Sequence, residues 1–128
     1  MKLNKVHHIA IIASDYARSL DFYTRVLGLT VIAENYRSER ESYKTDLALD
    51  GDYIIELFSF PNLPARVSRP EAAGLRHLAF EVDDIDTAIR ELDTKGIDHE
   101  SVRTDGYTGK RFVFFQDPDG LPIEFYEK

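Results

Sequence analysis

Apolar positions in this chain fall in short runs whose period changes from two to three and a half and back. Residues 6–12, Val6-His7-His8-Ile9-Ala10-Ile11-Ile12, are rich in β-branched side chains and predict a strand. Ser14 and Asp15 follow as candidate helix caps. Ala17, Leu20, Tyr23 and Leu27 then recur at helical spacing, and Gly28 marks the stop. Residues 29–36 read as a second strand. Residues 46–49 and 53–60 read as a hairpin around Asp50-Gly51-Asp52.

The same order returns further on. Residues 75–82 predict a strand, Asp83 and Asp84 can cap a helix, and Ile85, Ala88, Ile89 and Leu92 supply its buried stripe before Gly96. Residues 99–103 predict another strand. Residues 111–116 and 121–126 form a hairpin around Asp117-Pro118-Asp119-Gly120.

The two halves are one pattern used twice. His8 and His77, Asp15 and Asp84, and Leu20 and Ile89 are all separated by 69 residues. Glu56 and Glu124, and Gly28 and Gly96, are separated by 68. So constant an offset marks an internal repeat. Residues 4–60 form the first module and 75–128 the second. Residues 61–74, with Pro61, Pro64 and Pro70, form the connector. Each helix covers only one face of its sheet, so the other face must find cover. The expected class is α+β. Two βαβββ modules within a single domain over 1–128 set their mixed sheets side by side, curled into a partly open barrel.

Composition narrows the function. The chain has 128 residues, 43% apolar and 30% charged, which suits a folded domain rather than a disordered one. The net charge of −7 argues against a nucleic-acid partner. The longest apolar run, residues 9–13, is too short to span a bilayer, so no membrane partner is expected. No secretory leader is legible, and the expected location is the cytoplasm. With no cysteine, thiolate chemistry and disulfides are excluded.

Four polar side chains sit where apolar ones are expected. Glu56 shares its strand face with Ile54 and Phe58, and the opposite face carries Ile55 and Leu57. Neither face reads as wet, so the carboxylate is expected to be buried, which is costly without a cation. Glu124 is embedded in the same way, and His8 and His77 precede apolar strand runs. A lone strand His is usually a hydrogen-bonded core group, and a lone strand Glu usually faces solvent. Those readings would have to hold four times, at repeat-related positions. Two imidazoles and two carboxylates suit one divalent metal instead: zinc or nickel first, then cobalt, manganese or iron(II). His8 is chosen over His7 by register. His8 and His77 each lie seven residues before the capping Asp, at Asp15 and Asp84.

His8-Ile9-Ala10-Ile11, Ile55-Glu56-Leu57, His77-Leu78-Ala79-Phe80, Asp117-Pro118-Asp119-Gly120 and Ile123-Glu124-Phe125 together resemble the vicinal oxygen chelate superfamily of glyoxalase I-like proteins. The resemblance covers nearly the whole chain and is nearest to the small bacterial YaeR-like, glyoxalase-like subgroup. It implies paired βαβββ modules, a metal held by His8, Glu56, His77 and Glu124, a small-molecule substrate chelating that metal, and a homodimer. Some family members build the site across the subunit interface.

The implied activity is that of a metal-dependent lyase or isomerase on a small α-oxygenated substrate, through a metal-stabilised enediolate. Glu56 or Glu124 would be the catalytic base. Bacterial glutathione-dependent members tend to carry Arg four residues after the first His ligand and Asn four after the first Glu. Here those positions are Ile12 and Phe60, which supply neither the charge nor the hydrogen bond of that pattern, and whether glutathione is the thiol stays open. Phe60 is read as an apolar substrate-side residue. Arg111 and Lys110 end Tyr107-Thr108-Gly109-Lys110-Arg111, which is read as a loop over the site. Alternatives on the same scaffold are an extradiol dioxygenase, a fosfomycin-type thiol transferase, or a non-catalytic metal-bound small-molecule binding protein. The first two usually use two His and one carboxylate, and here a fourth donor is present.

Overall fold

The computed structural model describes residues 1–128, in two compact units, Met1–Pro64 and Ala65–Lys128. The boundary falls inside the expected connector.

In the first unit, β1 (Ile9–Ala13) leads to Asp15, whose side chain accepts from the backbone N–H of Arg18 and caps α1 (Tyr16–Asp21). The helix continues as a π-helical stretch, Phe22–Val26, where the Thr24 hydroxyl bonds back to the carbonyl of Leu20. Its buried side chains are Ser19, Phe22, Tyr23 and Val26. The expected stripe was Ala17, Leu20, Tyr23 and Leu27. Of these only Tyr23 is buried, while Ala17 is exposed and Leu20 and Leu27 are half-buried. The wider π turn lets the consecutive Phe22 and Tyr23 both point inward, and the small Ser19 lies flat against the sheet.

Gly28, at φ +79°, ends the helix, as Gly96 does in the second unit at φ +70°. The strands β2 (Thr30–Arg37), β3 (Ser42–Leu49) and β4 (Asp52–Ser59) follow. Asp50 and Gly51 both take positive φ, 49° and 85°, which is what a two-residue hairpin turn requires. The sheet order is β1-β4-β3-β2, with β1 and β4 parallel and the other pairs antiparallel.

The second unit repeats this plan. It comprises β5 (Leu78–Val82), α2 (Ile85–Thr94) capped by Asp84, β6 (Arg103–Thr104), β7 (Arg111–Gln116) and β8 (Pro122–Glu127), in the order β5-β8-β7-β6. Both sheets are mixed, four-stranded and open, and neither closes on itself. The fold class is α+β.

Strand boundaries differ from expectation by more than one residue at four places. β1 and β5 start three residues later than read, because the histidine-bearing residues before them do not join the ladder. β3 begins at Ser42 rather than Asp46. The strand expected over residues 99–103 contracts to Arg103–Thr104, with His99 making a lone bridge to Phe115.

Register decides which side chains share a face. In the first sheet, Ile11, Ala13, Leu47, Ile55 and Leu57 lie under the helix and are buried. In the second, Val113, Phe115 and Ile123 do the same, with Ile85 and Leu92 of α2. The opposite face of each sheet, the open face, carries the polar residues.

Candidate metal centre

Ala10 of β1 is the register partner of Glu56 on β4, and Ala79 of β5 is the partner of Glu124 on β8. His8 and His77 each stand two residues before that alanine. Both histidines lie just ahead of the strand ladder, and the positions of their rings bring each beside its glutamate. His8 Nε2 lies 4.0 Å from Glu56 Oε1, and His77 Nε2 lies 2.9 Å from Glu124 Oε2. The Glu56 and Glu124 side chains are 14% and 11% exposed, so water screens neither fully. Glu56 is therefore slightly less buried than the sequence suggested. Its face is open sheet rather than core.

The surroundings of the two pairs differ. The hydroxyl of Tyr53 is shared between Asp46 Oδ1 and Glu56 Oε2, at 3.0 Å each. The Lys44 ammonium lies 3.1 Å from Asp46 and 3.2 Å from Glu56 Oε2. Glu56 Oε2 thus receives two donors, and Oε1 is turned toward His8 at a distance too long for a hydrogen bond. Burial, then the two nearby carboxylates, push the Tyr53 hydroxyl well above its ordinary range. Asp46 first and Glu56 second raise the Lys44 ammonium. The ring of Tyr53 stacks on His8 at 5.2 Å, and His8 Nδ1 meets His7 Nδ1 at 2.8 Å. That contact leaves His8 Nε2 as the ring nitrogen facing Glu56.

Around Glu124 the setting is apolar. Its cross-strand partner is Phe114, against which His77 packs edge-on at 5.0 Å. His77 Nδ1 is buried and has no hydrogen-bond partner.

Asp46 and Tyr53 were not singled out as site residues from the sequence, and Lys44 only as one of several basic residues able to hold an anion. Taking β3 as starting at Asp46 hid the signal. Lys44 and Asp46 stand two apart on one strand, opposite Phe58 and Glu56.

The donor set fits a divalent ion. Imidazole nitrogen and carboxylate oxygen are ligands for zinc, nickel, cobalt, manganese and iron(II), and two carboxylates balance a 2+ charge. Each unit by itself supplies two of the four groups, and no cluster of three or more His, Asp or Glu groups forms.

The residues expected on the substrate side separate. Phe60 is half-buried and stacks on Phe58, which shares the face of Glu56, with centroids 5.9 Å apart. Arg111 does not lie beside Glu124. It has the strand parity of Val113, so it lies on the helix-bearing face, opposite to Glu124. Its guanidinium is taken by Glu127 at 2.7 Å and Asp86 at 3.1 Å. Lys110 donates to the carbonyl of Lys128 at 2.6 Å. The loop between them and β6 is nonetheless tied to the open face. Tyr126, two residues beyond Glu124, donates to Asp105 at 2.9 Å and meets the hydroxyl of Thr108. The backbone N–H of Tyr107 and then Tyr126 hold the Asp105 carboxyl below its usual range.

Comparison with known proteins agrees with this architecture. The chain is 62% identical to the uncharacterized protein YwkD of Bacillus subtilis, over the full length of both. It is 61% identical to the uncharacterized protein YaeR of Escherichia coli K12, over 98% of each. A lactoylglutathione lyase of Escherichia coli O157:H7 is 31% identical over 94% of this chain and 90% of its own. The crystal structure of a glyoxalase family protein from Enterococcus faecalis superposes with a TM-score of 0.87 at 46% identity, covering 99% of this chain and all of that one. The family model described as Glyoxalase/Bleomycin resistance protein/Dioxygenase superfamily matches residues 5–125, and the chain belongs to that superfamily.

Proposed function

We propose that this protein is a metal-dependent lyase or isomerase acting on a small α-oxygenated compound, with His8, Glu56, His77 and Glu124 holding one divalent ion, zinc or nickel. The observation that carries the reading is the repeat-equivalent placement of the two His–Glu pairs, each on an open sheet face. The likeness to a lactoylglutathione lyase supports the reaction class. A bound ion would supply Lewis acidity toward a carbonyl and the negative charge left when a neighbouring C–H loses its proton.

The two glutamates divide the remaining work. Glu56 is pinned by Tyr53 and Lys44, and serves as a fixed ligand. Glu124 pairs with His77 and lacks the two donors that hold Glu56, so its carboxylate is the one assigned to take the proton. Phe58, Phe60, Phe112 and Phe114, all half-buried, give the open faces an apolar surface for part of the substrate.

The active species is a homodimer in this reading, and the four ligands come from one chain or from two. Mixing a His8→Ala/Glu56→Ala chain with a His77→Ala/Glu124→Ala chain separates the cases. Recovered metal binding in the mixed dimer means that the ligands are shared between chains, and no recovery means that they belong to one.

The activity test is a screen of methylglyoxal–thiol adducts and other α-hydroxycarbonyl compounds with the metal-loaded protein. On a compound that turns over, Glu124→Gln should lose at least about 100-fold in kcat and keep its metal, while Glu56→Gln should lose metal. Unchanged kcat in both variants would remove the carboxylate-base mechanism.

A further inference from the structure

We infer that the open face of the first unit binds an anionic group, a carboxylate or a phosphate, and that Arg37 grips it. Arg37 ends β2 and is the register partner of Ser42, which puts its side chain on the same face as Lys44, Glu56 and Phe58. Its guanidinium carbon lies 5.2 Å from the centroid of Phe58 and 5.9 Å from that of Phe60. One terminal nitrogen, Nη2, donates to the Ser42 hydroxyl at 2.9 Å. Nε is buried and has no partner.

The other arginines make this unusual. Arg37 and Arg111 are the two half-buried arginines. Arg111 is surrounded by Asp84, Asp86 and Glu127, whereas no carboxylate pairs with Arg37. Arg103 in the second unit also stacks on two rings, Phe112 and Phe114 at 5.0 and 5.3 Å, and it is neutralised by Glu100 at 3.1 Å. The chain has 23 acidic residues against 16 basic ones, so acidic partners are plentiful. Stacking on Phe58 and Phe60 explains where the guanidinium plane lies. It does not explain a permanent charge held half-buried with no carboxylate beside it. A guanidinium carries five N–H donors in a planar fork that matches carboxylate and phosphate oxygens.

The position also describes the ligand. Phe58 stands two residues along β4 from Glu56, a strand distance of about 7 Å. An anion on Arg37 therefore places the rest of a small molecule alongside Glu56. On the reading of the site given above, this makes the substrate an α-oxygenated compound with a carboxylate or phosphate a few bonds from its reacting carbon. The binding step itself does not require that reading.

The test uses the metal-free full-length protein, with inorganic phosphate and malonate as probes. Binding is followed by calorimetry and by the side-chain Nε–H resonance of Arg37. Saturable binding of at least one probe is expected, with the Arg37 resonance moving to saturation. Arg37→Met, which keeps an apolar stem over the two rings, should weaken binding at least about tenfold, and Arg40→Met should leave it unchanged. Tighter phosphate binding names a phosphate ester, and tighter malonate binding names a carboxylic acid. No saturable binding of either probe, an unmoved Arg37 resonance, or equal affinity in Arg37→Met overturns the inference. None of those results bears on whether His8, Glu56, His77 and Glu124 hold a metal, which is measured separately by metal content.

Discussion

His77 Nε2 and Glu124 Oε2 approach to 2.9 Å, although the equivalent atoms of His8 and Glu56 stay 4.0 Å apart. The register of the two pairs is the same, so the difference lies in the neighbours. Glu56 is drawn toward Lys44 and Tyr53, whereas Glu124 faces Phe114, pairs with the imidazole and lies near enough to the Tyr126 hydroxyl to act on it by charge. If the pairs serve one ion, both must contribute to its binding. Addition of zinc or nickel should raise the unfolding temperature, with a stabilisation of about 2.7 kcal/mol at 100 times the dissociation constant. His77→Ala and Glu56→Gln should each remove most of that rise in a thermal scan at fixed metal concentration. An equal rise in both variants would place the ion elsewhere.

Tyr53 connects the stacking on His8 with the hydrogen bonding of Glu56. Tyr53→Phe keeps the ring but leaves Asp46 and Glu56 without their shared hydroxyl. The expected cost is about 1–2 kcal/mol in urea unfolding, together with a lower metal affinity, because Glu56 is no longer held in place. A loss of stability with unaltered metal affinity would assign Tyr53 to the scaffold alone.

Much of this arrangement was legible in the chain. The 69-residue and 68-residue offsets reappear as two capping aspartates, Asp15 and Asp84, and as identical β1–β4 and β5–β8 registers. The choice of His8 by its spacing from Asp15 agrees with the approach of its Nε2 to Glu56, but His7 was expected on the other face and instead packs on Tyr53 and His8. Helix phase was less legible, since a π stretch changes the residues per turn and leaves no mark in an apolar pattern. The polar cluster about Glu56 was hidden because β3 starts with Ser42, Lys44 and Asp46 on its open face, which reads as loop. Arg111 read as a loop cation because its partners, Asp86 and Glu127, lie 25 and 16 residues away, beyond any local signal.

Arg111 lies across the sheet from Glu124, and Lys110 is held by the carbonyl of Lys128. Lys110→Met should therefore leave metal affinity and turnover within about twofold of the parent. Arg111→Met should lower the unfolding midpoint, because Asp86 and Glu127 lose their shared cation, and should leave metal affinity unaltered. A drop in metal affinity in either variant would return that residue to the site.

His99 gives the second unit a pH dependence. Its Nδ1 lies 2.7 Å from the carbonyl of Glu100 and its Nε2 lies 3.0 Å from Asp93, so the doubly protonated ring can donate both ways. The Glu100 carbonyl first, and then Asp93, raise the imidazole above its ordinary value of 6.5. A raised folded-state value means that the unfolded chain loses this proton first as pH increases. The stabilisation is therefore complete below about pH 6.5 and disappears as pH rises through the folded-state value. Urea midpoints between pH 5.5 and 8.5 should fall with pH in the parent and fall less in His99→Gln. Parallel slopes would show that the ring does not titrate in this way.

Elemental analysis combined with X-ray absorption on the purified native protein tests the central claim most directly. One divalent ion per set of His8, Glu56, His77 and Glu124, with imidazole scattering lost in the His8→Ala/His77→Ala variant, is the expected result. Absence of stoichiometric metal after loading, or an absorption spectrum unaltered by removing both histidines, would contradict it.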